Sequence, residues 1–440
     1  MELNKSLEIS HKINEALKTD LSSVLNEEYP FELVERLTPK TSRNRVFPAS
    51  TTLLASIKAN LSGDKSLKNA LLIYNKSHEE IKKNIEIIEE ENKLKVREKR
   101  RGRPSSHELK IQKSKKQSIS TSTSAFAQAR NRIEESIIRE VFKESTKANL
   151  SNQQLKFHDR EVYITDGTYL QMQDTEEIAK KFDNKKKTGY PRGLLSVLIH
   201  QGSGKISDFV LDSDSKSELE LFSSLIGNIP SGSLILADDL YNCMAIFIQL
   251  IEKSIDIIVP GKRKRKYNVI SEIAPNDEIV ELSEGKNKSK IMQKLNIKNQ
   301  NVTLRRIEFE DVNEEGKMLV LFTTILDKNI PKESIIRKYY TRWDIEITIR
   351  EIKTIMKINI VRSKTPEMAV KEVLIALIGY NYVREIMSKS ADSADFPPYE
   401  KIIESFYTGD TDILTDKLGR VYSHWSPGRK RNIDKSATGD

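Results

Sequence analysis

The chain has 440 residues, a net charge of +9 and an isoelectric point near 9.1. Its single cysteine, Cys243, excludes a disulfide framework and a cysteine-based zinc site. No apolar run reaches the roughly 18 residues that a membrane-spanning helix needs, and the N-terminus lacks the features of a signal peptide. We therefore expect a cytoplasmic protein of two to four domains, without a membrane partner, whose basic charge favours a polyanion.

The first 150 residues are predicted to be helical around a strongly basic arm. Residues 1–92 carry apolar side chains at helical spacing, and a second helical stretch is predicted over 118–148, where Ser and Thr residues can cap its start. Residues 93–116 hold eleven Lys or Arg against two Glu, a net charge of +9 that equals the excess of the whole chain. This basic arm is either a solvated linker or a segment that contacts DNA.

The sequence RGRP in the basic arm, with Arg101 and Arg103, has the form of an AT-hook core. Glycine lets the backbone approach the floor of a narrow A·T minor groove, where the two arginines enter its negative potential. A plain basic linker that contacts phosphates is the alternative. The run Lys262, Arg263 and Lys264 is a further candidate for phosphate binding, although such runs are often only solvated.

From about residue 160 the pattern changes to strands that alternate with helices. Strands are predicted at Val162–Thr165, Leu194–His200, Lys205–Leu211, Leu234–Ala237 and Ile255–Val259, and helices at Ser217–Gly227 and Tyr241–Lys253. The second and third strands are joined by a glycine-containing hairpin turn. This β-β-β-α-β-α-β order predicts an α/β fold with a mixed sheet flanked by helices.

The remainder of the chain is predicted to add strands and then long helices. Residues 261–317 are rich in strands and polar turns, and Met318–Leu326 is strongly strand-like. A long helix is predicted over 331–358, with Pro331 suited to its first turn. A further helix is predicted over Glu367–Lys389, before a polar tail.

Four polar residues share one stripe of the helix predicted over 331–358. Tyr339, Arg342, Glu346 and Lys353 are separated by three, four and seven residues, which places them within an arc of roughly 60°. A carboxylate between two cations suits a metal ion beside phosphates, because the carboxylate binds the ion and the cations bind the polyanion. An ordinary solvated face with intrahelical ion pairs is the alternative.

Two further carboxylates come at the ends of predicted strands. Asp166 ends the first strand, and Asp238 follows the buried strand Leu234–Ala237. A carboxylate at that position lies at the carboxyl end of a sheet, where the sites of α/β proteins gather. Singly, an aspartate that caps a turn is the alternative, and Asp239 competes with Asp238 for the role.

These residues carry a resemblance to a known family. The stretch YYTRWDIEITIREIK (Tyr339–Lys353) resembles the Y-x2-R-x3-E-x6-K signature of the DDE transposases of insertion-sequence family four. ITDGTYLQMQDTEE and LILADDLYN resemble that family's first and second aspartate motifs and place them at Asp166 and Asp238, with Tyr241 at the usual aromatic position. STSAFAQAR and RSKTPEMAVKEVLIALIGYNYVREIM resemble its flanking segments, so the resemblance covers roughly residues 60–390.

The resemblance implies a ribonuclease-H-like core with a strand-rich insertion before the glutamate. It implies that Asp166, Asp238 and Glu346 are catalytic and hold two Mg²⁺ ions, with Mn²⁺ as a substitute, and that Tyr339, Arg342 and Lys353 bind DNA. The partners it implies are double-stranded DNA, both element ends and target, and a second copy of the chain. It also implies a bacterial protein associated with the nucleoid. Relatives cut through a hairpin and some stack a flipped base on a tryptophan of the insertion. Here tryptophan occurs only at Trp343 and Trp425, outside the insertion.

The resulting domain prediction has four parts. A helical DNA-binding region covers 1–150, a catalytic core covers 155–260 and 318–365, an insertion covers 261–317, and a helical C-terminal region covers 366–440. The helix Glu367–Lys389 with the tail is a candidate dimer surface. A catalytically inactive DNA-binding protein and a metal-dependent nuclease on the same core stay open as alternative functions, because the sequence does not separate hydrolysis from strand transfer.

The basic arm supplies a testable prediction. Deleting residues 93–116 should weaken DNA binding and reduce its salt dependence, because each lost phosphate contact lowers the log–log slope by about 0.9 on duplex DNA. Binding measured over a series of salt concentrations checks this, and an unchanged slope would show that the arm is only a linker. Arg103→Ala should weaken binding to A·T-rich sites more than to G·C-rich sites if the arm enters the minor groove.

Overall fold

A computed structural model describes most of the chain between residues 29 and 393. The described residues are 29–39, 47–61, 65–76, 122–147, 156–182, 189–261, 266–283, 290–298, 300–311, 316–343, 349 and 358–393.

The described strands form one nine-stranded mixed sheet in the order β3-β2-β1-β4-β5-β9-β8-β7-β6. The strands are β1 (Val162–Gln171), β2 (Arg192–His200), β3 (Ile206–Ser213), β4 (Leu234–Leu236), β5 (Asp256–Pro260), β6 (Tyr267–Ala274), β7 (Asp277–Leu282), β8 (Val302–Glu310) and β9 (Met318–Thr323). β1 to β3 form an antiparallel unit, whereas β4 pairs parallel with both β1 and β5. This order is the one expected of a ribonuclease-H-like core, and the predicted mixed sheet flanked by helices is confirmed.

Helices precede, interrupt and follow this sheet. They are α1 (Phe31–Leu37), α2 (Ala49–Leu61), α3 (Thr123–Arg132), α4 (Glu135–Thr146), α5 (Glu176–Lys181), α6 (Glu218–Leu225), α7 (Met244–Glu252), α8 (Lys290–Lys294), α9 (Lys332–Tyr340) and α10 (Pro366–Ser393). In the described part of the chain, no helix is both long enough and apolar enough to cross a bilayer.

Each face of the sheet is covered by its own hydrophobic core. Alternate residues of a strand point to opposite faces, so Val162 and Ile164 of β1 belong to one core and Tyr163 to the other. The first core packs against α2, α4 and α10, and the second against α6 and α7. We call these two sides the α10 face and the α6 face.

The strand-rich insertion continues the central sheet. β6, β7 and β8 form an antiparallel meander within the predicted range 261–317, and β9 joins the meander to β5. The sequence indicated the strands of this region but gave no sign that they extend the same sheet. The domain boundaries themselves stay a prediction.

Three elements differ from the sequence-based prediction. β1 continues through Asp166 to Gln171, because β2 pairs with it along that whole length. The stretch predicted as one helix over 118–148 is two helices, since Ile133 between them has extended backbone and buries its side chain. The long helix predicted over 331–358 is interrupted at the 3₁₀ turn Thr341–Trp343.

The interruption after α9 has a local cause. The Thr341 hydroxyl donates back to the Lys338 carbonyl over 2.7 Å, and the Gln201 side-chain amide donates to the same hydroxyl over 2.7 Å. These bonds tighten the turn and tie it to the hairpin beside the start of β1, where the Gln201 backbone amide donates to the Val162 carbonyl. Tertiary contacts therefore override the helical periodicity at this position.

Much of the last helix, which together with the tail is the candidate dimer surface, is buried inside the chain. Within α10, residues between Ala369 and Tyr382 include nine apolar side chains that are buried inside the chain. They pack in the core of the α10 face with α2 and α4. A helix buried in this way has little surface left for a second copy.

A buried ion pair fixes the meander to the segment that leads into α9. Arg305 on β8 donates to both carboxylate oxygens of Asp277 on β7, with distances of 2.7 and 2.5 Å. The same guanidinium donates to the Asp327 and Ile330 carbonyls, each over 2.9 Å. Both charged side chains are almost fully buried, so each depends on the other for compensation.

This ion pair generates a prediction about stability. Arg305→Met should lower the free energy of unfolding by about 3–5 kcal/mol, because it leaves the Asp277 carboxylate buried and uncompensated. Lys180→Met is the control, since Lys180 forms an exposed pair with Glu176, and its cost should stay below about 1 kcal/mol. Urea denaturation of both variants measures the difference. Equal effects of the two substitutions would contradict a structural role for Arg305.

Candidate active site

The parallel pairing of β1 with β4 brings Asp166 and Asp238 to the same edge of the sheet. Val162 lies opposite Leu234 and Ile164 opposite Leu236. β4 ends at Leu236, and Asp238 two residues later has extended backbone. Continuing the register of β4 by two residues therefore puts Asp238 next to Asp166 at this edge. The carboxyl edge of parallel strands is where α/β proteins place their sites.

The two carboxylates also share a face. Asp166 has the same parity along β1 as Val162 and Ile164, which point to the α10 face. Asp238 follows β4 in extended conformation, with the parity of Leu234 and Leu236, which point to the same face. Two carboxylates that are 72 positions apart in sequence therefore project in the same direction from neighbouring segments of the backbone.

Local hydrogen bonds hold both aspartates in place. The Asp166 Oδ1 atom accepts from the Gly167 backbone amide over 2.8 Å. The Asp238 Oδ1 atom accepts from the Leu240 backbone amide over 2.8 Å and caps the 3₁₀ turn Asp239–Tyr241. Asp238 therefore does cap a turn, as the alternative interpretation of the sequence has it, but it uses only one of its two carboxylate oxygens in this bond. A capped aspartate is held in a fixed orientation and keeps a second oxygen for another ligand.

A third carboxylate, Glu218, stands beside this pair and was missed by the sequence analysis. It is the first residue of α6, which reaches the edge from the opposite, α6 face. The Tyr241 hydroxyl donates to the Glu218 Oε1 atom over 2.6 Å. In sequence, Glu218 has the appearance of an ordinary acidic residue in a first helical turn, and only the fold brings it to Asp166 and Asp238.

The crowding of carboxylates changes the pKa values of the groups at this edge. The pKa of Glu218 is raised to about 7, mainly by burial and further by the nearby charges of Asp166 and Asp238, while hydrogen bonds from Tyr241 and Gly167 act in the opposite direction. Burial also raises the pKa of Tyr241 well above its usual value, together with the adjacent Glu218 carboxylate. The edge therefore has an excess of negative charge that a cation would relieve.

The competing residue Asp239 occupies a different local position from Asp238. The charges that raise the pKa of Glu218 include those of Asp166 and Asp238. Asp239 instead begins the 3₁₀ turn that Asp238 caps. The geometry favours Asp238 for the second position.

The predicted DNA-binding and third-carboxylate residues are only partly described. Tyr339 is half-buried on α9 against the core of the α10 face, and Arg342 is half-buried in the 3₁₀ turn. The other predicted site residues lie outside the described residues: Glu346, Lys353, Arg101, Arg103, Lys262, Arg263 and Lys264.

The two described ends of the segment that contains Glu346 flank β1. Thr341 is tied to Gln201 at the start of β1. At the other end, the Gln171 amide donates to the Asn359 carbonyl and the Val361 amide donates to the Gln171 carbonyl, each over 2.9 Å. Thr341 and Asn359 therefore lie at opposite ends of a strand whose middle carries Asp166.

The residues present suit a hard divalent cation. Carboxylate oxygens are the ligands that Mg²⁺ takes in proteins, and Asp166 and Asp238 offer them side by side. Among the described residues, no three His, Cys, Asp or Glu side chains are placed together as a complete ligand set. The pair fits the cation chemistry of the predicted site, and the third ligand was predicted at Glu346.

Comparison with known proteins identifies the family. Residues 157–382, just over half of the chain and including both aspartates, match the family described as the transposase DDE domain. The chain belongs to this family. The family that the sequence motifs predicted is thereby confirmed. DDE transposases in general use divalent metal ions.

The sequence identity between this chain and individual relatives is low. The chain is 26% identical over 279 residues to the transposase InsG for insertion sequence element IS4 of Escherichia coli (strain K12). This match spans 61% of the chain and 62% of InsG, which is less than two thirds of that relative's length. A piggyBac transposase in a synaptic complex with hairpin DNA matches with a TM-score of 0.39 and 11% identity, over 91% of this chain and 80% of the other. A TM-score this low does not establish a shared topology.

The hydrogen bond from Tyr241 to Glu218 generates a second prediction about stability. Tyr241→Phe should lower the free energy of unfolding by about 1–3 kcal/mol, because it leaves a partly buried carboxylate without its side-chain donor. Tyr169→Phe is a matched control, since Tyr169 is exposed, and it should change stability by less than about 0.5 kcal/mol. Urea denaturation at neutral pH measures both, and a neutral Tyr241→Phe would show that Glu218 does not depend on this donor.

Proposed function

We propose that this protein is a transposase that binds the ends of an insertion sequence, cuts the DNA there and joins it to target DNA in a divalent-metal-dependent reaction. The single observation that carries the proposal is the placement of Asp166 and Asp238 side by side at the sheet edge, inside the region that matches the transposase DDE family. Paired carboxylates on rigid strands are suited to hold a cation against a phosphate.

Glu346 is proposed as the third catalytic carboxylate. The chain that joins Thr341 to Asn359 has to pass from the start of β1 to its end, and Asp166 lies near the middle of that strand. Ile349, three residues beyond Glu346, packs against the core of the α10 face, which is the face that Asp166 shares. These contacts support a position for Glu346 within reach of the two aspartates.

The residues of the chain hold and orient the reacting groups. Asp166, Asp238 and Glu346 are proposed to bind two Mg²⁺ ions, for which Mn²⁺ can substitute. When bound, such ions activate the attacking oxygen and stabilise the leaving oxygen of an in-line displacement at phosphorus. The Gly167 and Leu240 amides fix the two aspartates, so that little reorganisation is needed when the phosphate arrives.

DNA binding is proposed to use cations at several places along the chain. Tyr339, Arg342 and Lys353 would bind phosphates at the element terminus, next to the carboxylates. The basic arm with Arg101 and Arg103, and the run of Lys262, Arg263 and Lys264, would hold the flanking duplex through charge. A dimer of the chain would cut both element ends together, with or without a hairpin intermediate.

Substitution of the carboxylates tests the proposal. Asp166→Asn, Asp238→Asn and Glu346→Gln should each reduce Mg²⁺-dependent cleavage of a duplex carrying the terminal inverted repeats by about 10²-fold or more, because each removes charge worth several kcal/mol of transition-state stabilisation. End binding, followed by gel shift, should persist. Asp239→Asn is the matched control next to Asp238 and should cut at close to the wild-type rate.

The same assay separates the alternative functions. Strand transfer into target DNA supports a transposase, whereas hydrolysis without joining would indicate a metal-dependent nuclease. End binding without any cleavage by the wild-type protein would indicate an inactive DNA-binding protein. Wild-type cleavage by Glu346→Gln would show that the third carboxylate lies elsewhere.

A further inference from the structure

Glu218 reaches the edge occupied by Asp166 and Asp238 from the other side of the sheet. The two aspartates project from the α10 face, whereas Glu218 begins a helix of the α6 face. Its carboxylate passes over the backbone at Gly167. A Cβ atom at position 167 would lie only 2.5 Å from the Glu218 Cδ atom and 2.6 Å from its Oε2 atom. The glycine after Asp166 is therefore what allows Glu218 to approach.

The Glu218 side chain is built into this position. The fully buried Tyr241 holds its Oε1 atom through the hydroxyl group. The N-terminal cap of α6 does not need it, because Ser217 and Glu220 form a complete capping box. An acidic residue that served only the helix terminus would have no reason to lie against Asp166.

The electrostatic cost of placing Glu218 beside two other carboxylates indicates that this residue has a role. A partly buried carboxylate beside two others is disfavoured by like-charge repulsion, and a glutamine would make the Tyr241 hydrogen bond without that repulsion. A divalent cation reverses the balance, because every nearby negative charge then strengthens binding. Glu218 is thus unfavourable without a cation and favourable with one.

We propose that Glu218 is a further carboxylate of the active site, which strengthens divalent-cation binding at the Asp166–Asp238 pair. The proposal rests on the function proposed above and adds a residue that none of the sequence motifs contains. Glu218 acts through the charge it places next to the two aspartates, so it is a positioning residue of the cation site.

Mn²⁺ binding to the full-length protein, followed by the electron paramagnetic resonance signal of the free ion, tests the proposal without any need for DNA cleavage. Glu218→Gln keeps the shape and the acceptor for Tyr241 but removes the charge, and it should weaken Mn²⁺ affinity by about 10–100-fold, the usual effect of losing an outer partner of a metal site. Glu252→Gln removes an exposed charge at the end of α7 and should leave the affinity unchanged.

Gly167→Ala is a second variant that keeps every charge. The three atoms nearest to the new methyl group all belong to the flexible Glu218 side chain, so the protein should fold while the carboxylate is displaced. We expect weaker Mn²⁺ binding here as well. Thermal unfolding without metal shows whether each variant is folded, and a folded Glu218→Gln variant with wild-type affinity would overturn the inference.

Asp166→Asn distinguishes the failure of this inference from the failure of the proposed function. If Asp166→Asn loses Mn²⁺ and Glu218→Gln does not, only the role of Glu218 is wrong. If both variants bind Mn²⁺ as the wild type does, or if the wild type shows no saturable binding, the edge is not a cation site and both proposals fail.

Discussion

The parallel pairing of β1 with β4 is the constraint on which the candidate active site depends. It brings Asp166 on β1 and Asp238, two residues beyond the end of β4, to one edge and one face of the sheet. Carboxylates held this close repel one another, and the donors from Gly167, Leu240 and Tyr241 offset only part of that repulsion. A bound cation would relieve this repulsion, and the proposed metal site would thus depend on the same backbone pairing that builds the sheet.

The two hydrophobic cores give this edge its rigidity. The core of the α10 face anchors the strands from which the aspartates project, and the core of the α6 face anchors the helix and turn that supply Glu218 and Tyr241. Each core contains fully buried aliphatic side chains from β1, β4 and β5 or their flanking helices. A site on packed strands holds its geometry better than one on loops, which suits chemistry that depends on the position of a phosphate.

The meander β6–β9 connects this centre to the segment that leads towards Arg342. Because β9 pairs with β5, the insertion and the core share one sheet, and movement of one is resisted by the other. The buried Arg305 extends this coupling through its bonds to Asp277 and to the carbonyls before α9. The positions of Tyr339 and Arg342 thus depend on contacts made far away in the sequence.

The sequence alone was enough to predict those features that depend on a local pattern of residues. Alternating and buried apolar runs predicted the strands around Asp166 and Asp238, and the order of the strands and helices predicted the α/β class. The family was recognised from the resemblance of the two aspartate motifs and the motif at Tyr339–Lys353. Only the tertiary structure decided the full length of β1, the interruption at Thr341–Trp343 and the arrival of Glu218 through the space left by Gly167. Those features arise from pairing and packing between segments that are distant in sequence. The hydrophobic periodicity of one segment does not show which distant segments it will contact.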